Sequence, residues 1–176
     1  SRIYSFEPFA ESFSQLEKLD YKNFFPINKA VYSNTGEEIF YSYNIDHLSS
    51  LTKINKDSKD SIDYAPNSIS KESRVKTITL DDFVIEQKLD QIDLLKIDVQ
   101  GAEIDVLLGG QKKCLPLTKV ITLEVGLFDF YEKKSSFHEI ESLLKNFELY
   151  SIIRLSQNPM NFRTDWCEAV YINNNI

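Results

Sequence analysis

Residues 94–103 read Leu94-Leu95-Lys96-Ile97-Asp98-Val99-Gln100-Gly101-Ala102-Glu103, and Ile104-Asp105-Val106-Leu107-Leu108-Gly109-Gly110 follows directly. Branched apolar residues dominate 92–97 and stop at Asp98, the pattern of a short buried strand that ends where charge is tolerated. Gly101 lacks a Cβ and can turn the chain sharply. Ile104, Leu107 and Leu108 recur at i, i+3 and i+4, the apolar stripe of a short helix, and Gly109-Gly110 supplies its stop. Strand, tight turn and packed helix make half of a βαβ unit. In open α/β sheets, ligands bind beyond the carboxyl ends of the strands. Asp98, Gln100 and Glu103 therefore mark where a site belongs.

Strands and helices alternate on both sides of this stretch. Ile3-Tyr4-Ser5-Phe6 is a strand, halted by Pro8, which cannot donate to a ladder. Phe9, Phe13 and Leu16 predict a helix over 9–19 with an aromatic stripe in the core. Residues 21–26 connect to a second short strand at 27–32. Asn34-Thr35-Gly36-Glu37 signals a turn, and 38–44 alternates like a hairpin arm. Residues 46–76 are rich in Ser, Asn, Asp and Lys, which predicts a long surface loop or insertion. Val75, Ile78 and Leu80 suggest a short strand. Asp81-Asp82 then opens a helix reaching Lys88, with acid at the positive end of the dipole.

Downstream, 119–125 is a third buried strand, ending near Glu124. Ser136-x-x-Glu139 is a capping box ahead of the helical face Phe137, Ile140, Leu144 and Phe147. Residues 149–155 and 167–172 read as strands joined by a polar loop, able to pair as a C-terminal antiparallel hairpin. Strand–helix repetition of this kind predicts a single α/β domain over 1–176. Its sheet should be mostly parallel, with helices on both faces.

The net charge of −7 argues against nucleic acid, which rewards clustered Lys and Arg. No apolar run approaches the roughly 20 residues of a membrane span, and no signal-peptide pattern opens the chain. The two cysteines, Cys114 and Cys167, are widely spaced. That makes a reduced, cytoplasmic protein the default and leaves one disulfide open. His47 and His138 form no metal-binding spacing, so no metal is expected. His138 reads as a surface residue, and His47 as a weak base candidate in the loop. No GxSxG occurs, so an α/β-hydrolase has no support.

Phe6-Glu7-Pro8, Asn28-Lys29-Ala30-Val31, Ser49-Ser50-Leu51, Leu80-Asp81-Asp82, the Lys96–Glu103 string and Glu124 occur in that order. In this the chain resembles the FkbM-type methyltransferases, which use S-adenosylmethionine. The resemblance runs from about Ile3 to Val125. It implies a Rossmann-like class I methyltransferase sheet and methyl transfer to a hydroxyl oxygen of a sugar or secondary metabolite. A small-molecule or glycan acceptor is then the expected partner. The oligomeric state stays open.

Two departures stand out. The family usually has Glu where this chain has Gln100. Its first strand and Gly-rich turn, of the form Asp-x-Gly-Ala-Asn-x-Gly, should precede Phe6. In a dinucleotide-type fold the ribose-binding acid follows the Gly turn by about 20 residues. If Glu7 is that acid, the turn falls before Ser1, and the chain is expected to lack its N-terminal strand.

The resemblance and the strand-end rule together select the site residues. Glu7 would accept from the ribose diol; the plainer alternative is that it caps the next helix. Pro8 offers apolar surface near the adenine or simply starts a helix. Lys29 and Ala30 match the place where the third strand approaches the adenine, with backbone groups doing the recognition. Asp98 would face the methionine end of the cofactor and could take the acceptor's proton; otherwise it caps the turn that follows. Glu124, at the end of the neighbouring strand, is a second candidate catalytic carboxylate or an exposed strand end. Glu103 favours its helix dipole. Acceptor specificity is expected in the 46–76 loop. A non-catalytic binding or scaffold module of methyltransferase descent is the rival reading. A nucleotide-binding dehydrogenase is a third, although no GxGxxG occurs.

Overall fold

The computed structural model describes residues 1–44, 48–55, 57, 69–133, 135–158 and 161–176. The central stretch folds as its pattern predicts. Strand β6 spans Ile92–Ile97 and runs parallel to β7, Thr118–Gly126, with Ile97 opposite Leu123. Between them lie two short helices, α3 (Glu103–Leu108) and α4 (Cys114–Leu117). The C-terminal hairpin is present. Strand β8, Phe147–Gln157, pairs antiparallel with β9, Thr164–Asn173, and β9 pairs antiparallel with β7. The resulting four-stranded sheet has the order β6-β7-β9-β8. Helix α5, Phe137–Leu143, enters this unit through the predicted capping box, Ser136 and Glu139 exchanging bonds with each other's backbone N–H.

The N-terminal half builds two smaller sheets. Strand β1 (Ile3–Phe6) lies parallel to β2 (Phe24–Ile27), with α1 (Ala10–Leu16) between them. Strand β3 (Ala30–Val31) is parallel to β5 (Ile69–Ile78), and β4 (Gly36–Tyr43) is antiparallel to it. Helix α2, Leu80–Gln87, follows, with the Thr79 hydroxyl accepting from the Asp82 N–H at 2.9 Å.

Several expectations need correction. Among the described residues, three strand pairs are parallel and three antiparallel. The antiparallel ladders are the longer ones, so the sheets are not mostly parallel. The region 46–76, expected to be loop, ends in β5, which begins at Ile69. Its Lys71-Glu72-Ser73-Arg74 core carries no apolar alternation, because much of this two-sided strand faces water. Residues 46, 47, 56 and 58–68 of that region, His47 included, lie outside the described residues. The expected strand at 27–32 is in fact two. Pro26 sits inside β2, tolerated because β2 has β1 as its one partner in that sheet. Helix α1 stops at Leu16 and buries none of its own residues fully; Phe13 and Leu16 are half-exposed.

The main core lies under the four-stranded sheet. Ile97, Leu107, Ile121, Leu123, Val125, Ile140 and Tyr171 are at most 2 % exposed there. Cys114 and Cys167 are buried free thiols, not a disulfide. A second cluster, Tyr43, Ile54 and Tyr131, packs beside the carboxyl ends of β6 and β7. A backbone bridge from Ile54 to Tyr131 supports it.

Asp81, from the Leu80-Asp81-Asp82 motif, is structural. One oxygen accepts the N–H groups of Lys113 (2.8 Å) and Cys114 (2.9 Å), and the other accepts Lys112 N–H at 3.0 Å. It ties α2 to the start of α4. No described helix is long and apolar enough to cross a membrane.

Candidate active site

The turn after β6 requires unusual backbone. Gln100 sits at φ +57° and Gly101 at φ +94°. A Cβ on Gly101 would lie 2.7 Å from Cγ of Tyr131, so the Tyr131 ring packs directly on the glycine. Left-handed backbone at Gln100 is uncommon for a side-chain-bearing residue. It is held by what the side chain does. Gln100 Nε2 donates to Asp98 Oδ1 at 2.9 Å and approaches Glu124 Oε1 at 3.5 Å, and Gln100 Oε1 accepts the Tyr131 hydroxyl at 2.9 Å. An amide is the side chain that can donate to two carboxylates while accepting from a phenol.

Glu103 does more than complement a dipole. It is 3 % exposed. Its carboxylate accepts from Gly101 N–H at 3.0 Å and from the Ser135 hydroxyl at 2.8 Å. Burial raises its pKa and those donors offset part of the rise. It is Glu103, not Asp98, that bonds the turn's backbone. Ser50 adds a bond from its hydroxyl to Val99 O at 3.0 Å.

Two cavities meet at Gln100. The first, about 180 Å³, is lined by Glu7, Pro8, Phe9, Ala30, Asp98 and Val99, among others. It thus joins four of the five expected cofactor residues. Lys29 is not in its lining, and the Lys29 N–H is engaged by Ile27 O at 2.9 Å. Glu7 Oε1 accepts the Phe9 N–H at 2.8 Å, just ahead of α1, and Glu7 also lines the cavity. Burial raises the Glu7 pKa, and the Phe9 bond pulls it partly back. Asn28 fastens the same corner through bonds to the carbonyls of Glu7 (2.9 Å) and Pro8 (3.2 Å).

The second cavity, about 330 Å³, is lined by Glu124, Gly126, Phe128, Phe130, Tyr131 and Trp166, among others. Asp98 and Glu124 therefore belong to different cavities, with Gln100 lining both.

The two carboxylates differ in character. Burial pushes Asp98 up, but hydrogen bonds from Lys96 (2.8 Å) and Gln100 and the Lys96 charge outweigh it, leaving Asp98 below its ordinary value. Glu124 is pushed up to about 7, by burial first and then by the charges of Asp98 and Glu103. One carboxylate is kept ionised and the other is poised near neutrality, the separation expected of groups with distinct acid–base tasks.

Strand-end position marks Gln100 and Glu103 with Asp98, but it carries no signal for Tyr131, for the buried bond from Glu103 to the turn, or for the bridging role of Gln100. His138 is exposed on α5, away from both cavities. Among the described residues no group of three His, Cys, Asp or Glu side chains is placed to hold a metal.

Comparison with known proteins agrees with this geometry. Residues 1–149 match the model of the methyltransferase FkbM domain. Over 75 residues the chain is 44 % identical to the 2-O-methyltransferase NoeI of Sinorhizobium fredii, covering 43 % of this chain and 30 % of that protein. Over 46 residues it is 54 % identical to the AMB antimetabolite synthetase AmbE of Pseudomonas aeruginosa, covering 26 % of this chain and 2 % of that protein. The chain thus spans less than a third of either relative. No solved structure matches it. With the family model covering residues 1–149 of its 176, the chain belongs to the FkbM methyltransferase domain family.

Proposed function

We propose that the protein transfers a methyl group from S-adenosylmethionine to a hydroxyl oxygen of a small molecule or glycan. The reading rests on one observation above the others: two carboxylates of opposite acid–base character, Asp98 and Glu124, on the two sides of Gln100.

S-adenosylmethionine supplies a methyl group activated on a cationic sulfur. The smaller cavity suits part of such a ligand. Its volume of about 180 Å³ is below the roughly 300–1,000 Å³ of whole small-molecule sites. It fits a nucleoside portion, with the remainder over its open side. Glu7 would accept from the ribose hydroxyls, a charge-assisted bond. Pro8, Phe9 and Ala30 would give apolar surface to the base. Asp98, kept ionised by Lys96 and Gln100, favours a cationic ligand beside it.

Glu124 is the better base. Both Asp98 oxygens are engaged by Lys96 and Gln100. A carboxyl near 7 is matched to proton transfer at neutral pH. Glu124 would take the acceptor's hydroxyl proton as that oxygen bonds to the methyl carbon. The carbon–sulfur bond breaks with its electron pair on sulfur, leaving a methyl ether and S-adenosylhomocysteine. Alignment of the acceptor oxygen is the rest of the task.

The test is incubation with methyl-labelled S-adenosylmethionine and a panel of glycans and small alcohols. Label should pass to an acceptor, and Glu124→Gln should lower transfer while S-adenosylhomocysteine affinity holds. Cofactor binding with no transfer to any acceptor would favour the non-catalytic binding module instead.

A further inference from the structure

We infer that β8 is the subunit interface of a symmetric dimer: a second copy of this chain lays its own β8 antiparallel along this one, about a two-fold axis at Ser151. The inference is independent of the methyl-transfer reading.

The four-stranded sheet leaves its core unfinished at β8. Along β9, Cys167, Ala169 and Tyr171 are buried, and the Tyr171 hydroxyl donates to Glu141 of α5 at 3.3 Å, so the helix covers β9. Their cross-strand partners in β8 are Leu155, Ile152 and Leu149. These share the core face, yet they are 60 %, 45 % and 38 % exposed. The register against β9 shifts at Tyr150 and Ile153, which are 72 % and 55 % exposed. All five large apolar side chains therefore stand open within the stretch 149–155. Together they present about 500 Å² of apolar surface, near the top of the range for the largest patch on a monomer.

The edge lacks the usual protections. Among the described residues, β9 is the one strand beside β8. Native edges are commonly guarded by shortness, by Lys or by Pro. Strand β8 runs for 11 residues and contains neither Lys nor Pro. Its bulges add twist, so a partner strand must twist alike, and a second copy does.

The strand is also self-complementary, as a two-fold interface requires. An axis at Ser151 sets Ser151 against itself, Tyr150 against Ile152, Leu149 against Ile153, Phe147 against Leu155, and Glu148 against Arg154. Apolar residues then meet apolar ones, and each charge meets its opposite. A slip of one position either way would set Glu148 and Arg154 against Leu, Ile or Phe, so charge fixes the register. Arg154 touches Glu168 at 3.4 Å through Nε, but its side chain is 73 % exposed, which leaves the rest of the guanidinium for the second copy's Glu148. The two patches bring about 1,000 Å² of apolar surface together, where specific interfaces begin. Such an area suits a reversible dimer.

The test is sedimentation velocity. The wild-type protein should rise with concentration to twice the chain mass of 20.4 kDa and no further. Glu148→Arg sets Arg against Arg154, and Arg154→Glu sets Glu against Glu148. Each should weaken association about tenfold or more, because like charges then face each other twice. Mixed in equal amounts, the two variants restore both opposite-charge pairs and should regain wild-type association as a heterodimer. Arg154→Glu also loses its contact with Glu168, so Ser151→Cys gives a second readout with both charges in place. Cα atoms facing each other across an antiparallel pair lie about 4.5–5.5 Å apart, within disulfide reach. Mild oxidation should give a reducible covalent dimer of Ser151→Cys and none of the wild type, whose Cys114 and Cys167 are buried. A wild-type protein that stays monomeric at high-micromolar concentration, or that grows into longer oligomers, overturns the inference. So do charge variants that associate as well as the wild type, or a Ser151→Cys protein that does not cross-link.

Discussion

Replacing Glu124 with Gln should make the protein more stable at alkaline pH and leave it nearly unchanged in acid. The substitution keeps the shape of the side chain and an oxygen for Gln100 to approach. It removes the charge that burial, Asp98 and Glu103 oppose. A carboxyl raised from 4.5 to about 7 holds its proton in the folded chain over a range where the unfolded chain has lost it. Stability from this group is therefore fully present below 4.5 and is lost as pH rises toward 7. The whole interval would amount to ~3.4 kcal/mol. Glu124 is partly exposed, and solvent screening reduces that to ~1–2 kcal/mol. Urea unfolding of both proteins at about pH 5 and about pH 8 measures it. The difference in unfolding free energy should be small at the lower pH. By the higher pH it should favour Gln by ~1–2 kcal/mol. A difference that does not change with pH would refute the reasoning, as would a wild-type protein that gains stability over the variant as pH rises.

Further outcomes follow from the same geometry. Gln100→Glu puts a third carboxylate 2.9–3.5 Å from Asp98 and Glu124 and removes both donated bonds. Coulomb repulsion of ~5 kcal/mol with each of the two before relaxation should appear, after screening, as a loss of roughly 2 kcal/mol above neutrality. Urea unfolding should show that loss shrinking in acid. Gly101→Ala must place a methyl on the Tyr131 ring at φ +94°. It should cost roughly 2–4 kcal/mol, read as a fall in Tm on the order of 10 °C. Asp81→Ala leaves three N–H groups at the start of α4 without their carboxylate. A loss of about 2 kcal/mol is expected in urea, and Asp81→Asn should recover part of it.

The central stretch was legible because one local pattern, apolar run, acid, glycine and helical stripe, determines strand, turn and helix together. The C-terminal hairpin was legible for a similar reason: β9 alternates strictly, with Cys167, Ala169, Tyr171 and Asn173 turned inward. The second half of β5 was legible through Val75 and Ile78, but its first half was not, because Lys71–Arg74 carry no apolar alternation and take their pairing from β4. The break between β2 and β3 was hidden because residues 21–26 read as a connection, whereas Pro26 lies inside an edge strand. At the site, Glu7, Pro8, Ala30 and Asp98 could be gathered from strand-end position and resemblance. The relation of Gln100 to Tyr131 could not. It joins residues 31 apart through a turn with two positive φ angles, and no spacing rule encodes it. The split of Asp98 and Glu124 into separate cavities depends on that same contact.

The most direct measurement is calorimetric titration of the protein with S-adenosylhomocysteine, beside Glu7→Ala. Saturable 1:1 binding is expected, weakened in the variant by roughly 1.5–3 kcal/mol for the loss of a bond to a charged group. No binding by the wild-type protein, or equal affinity in the two, would contradict a cofactor site at Glu7.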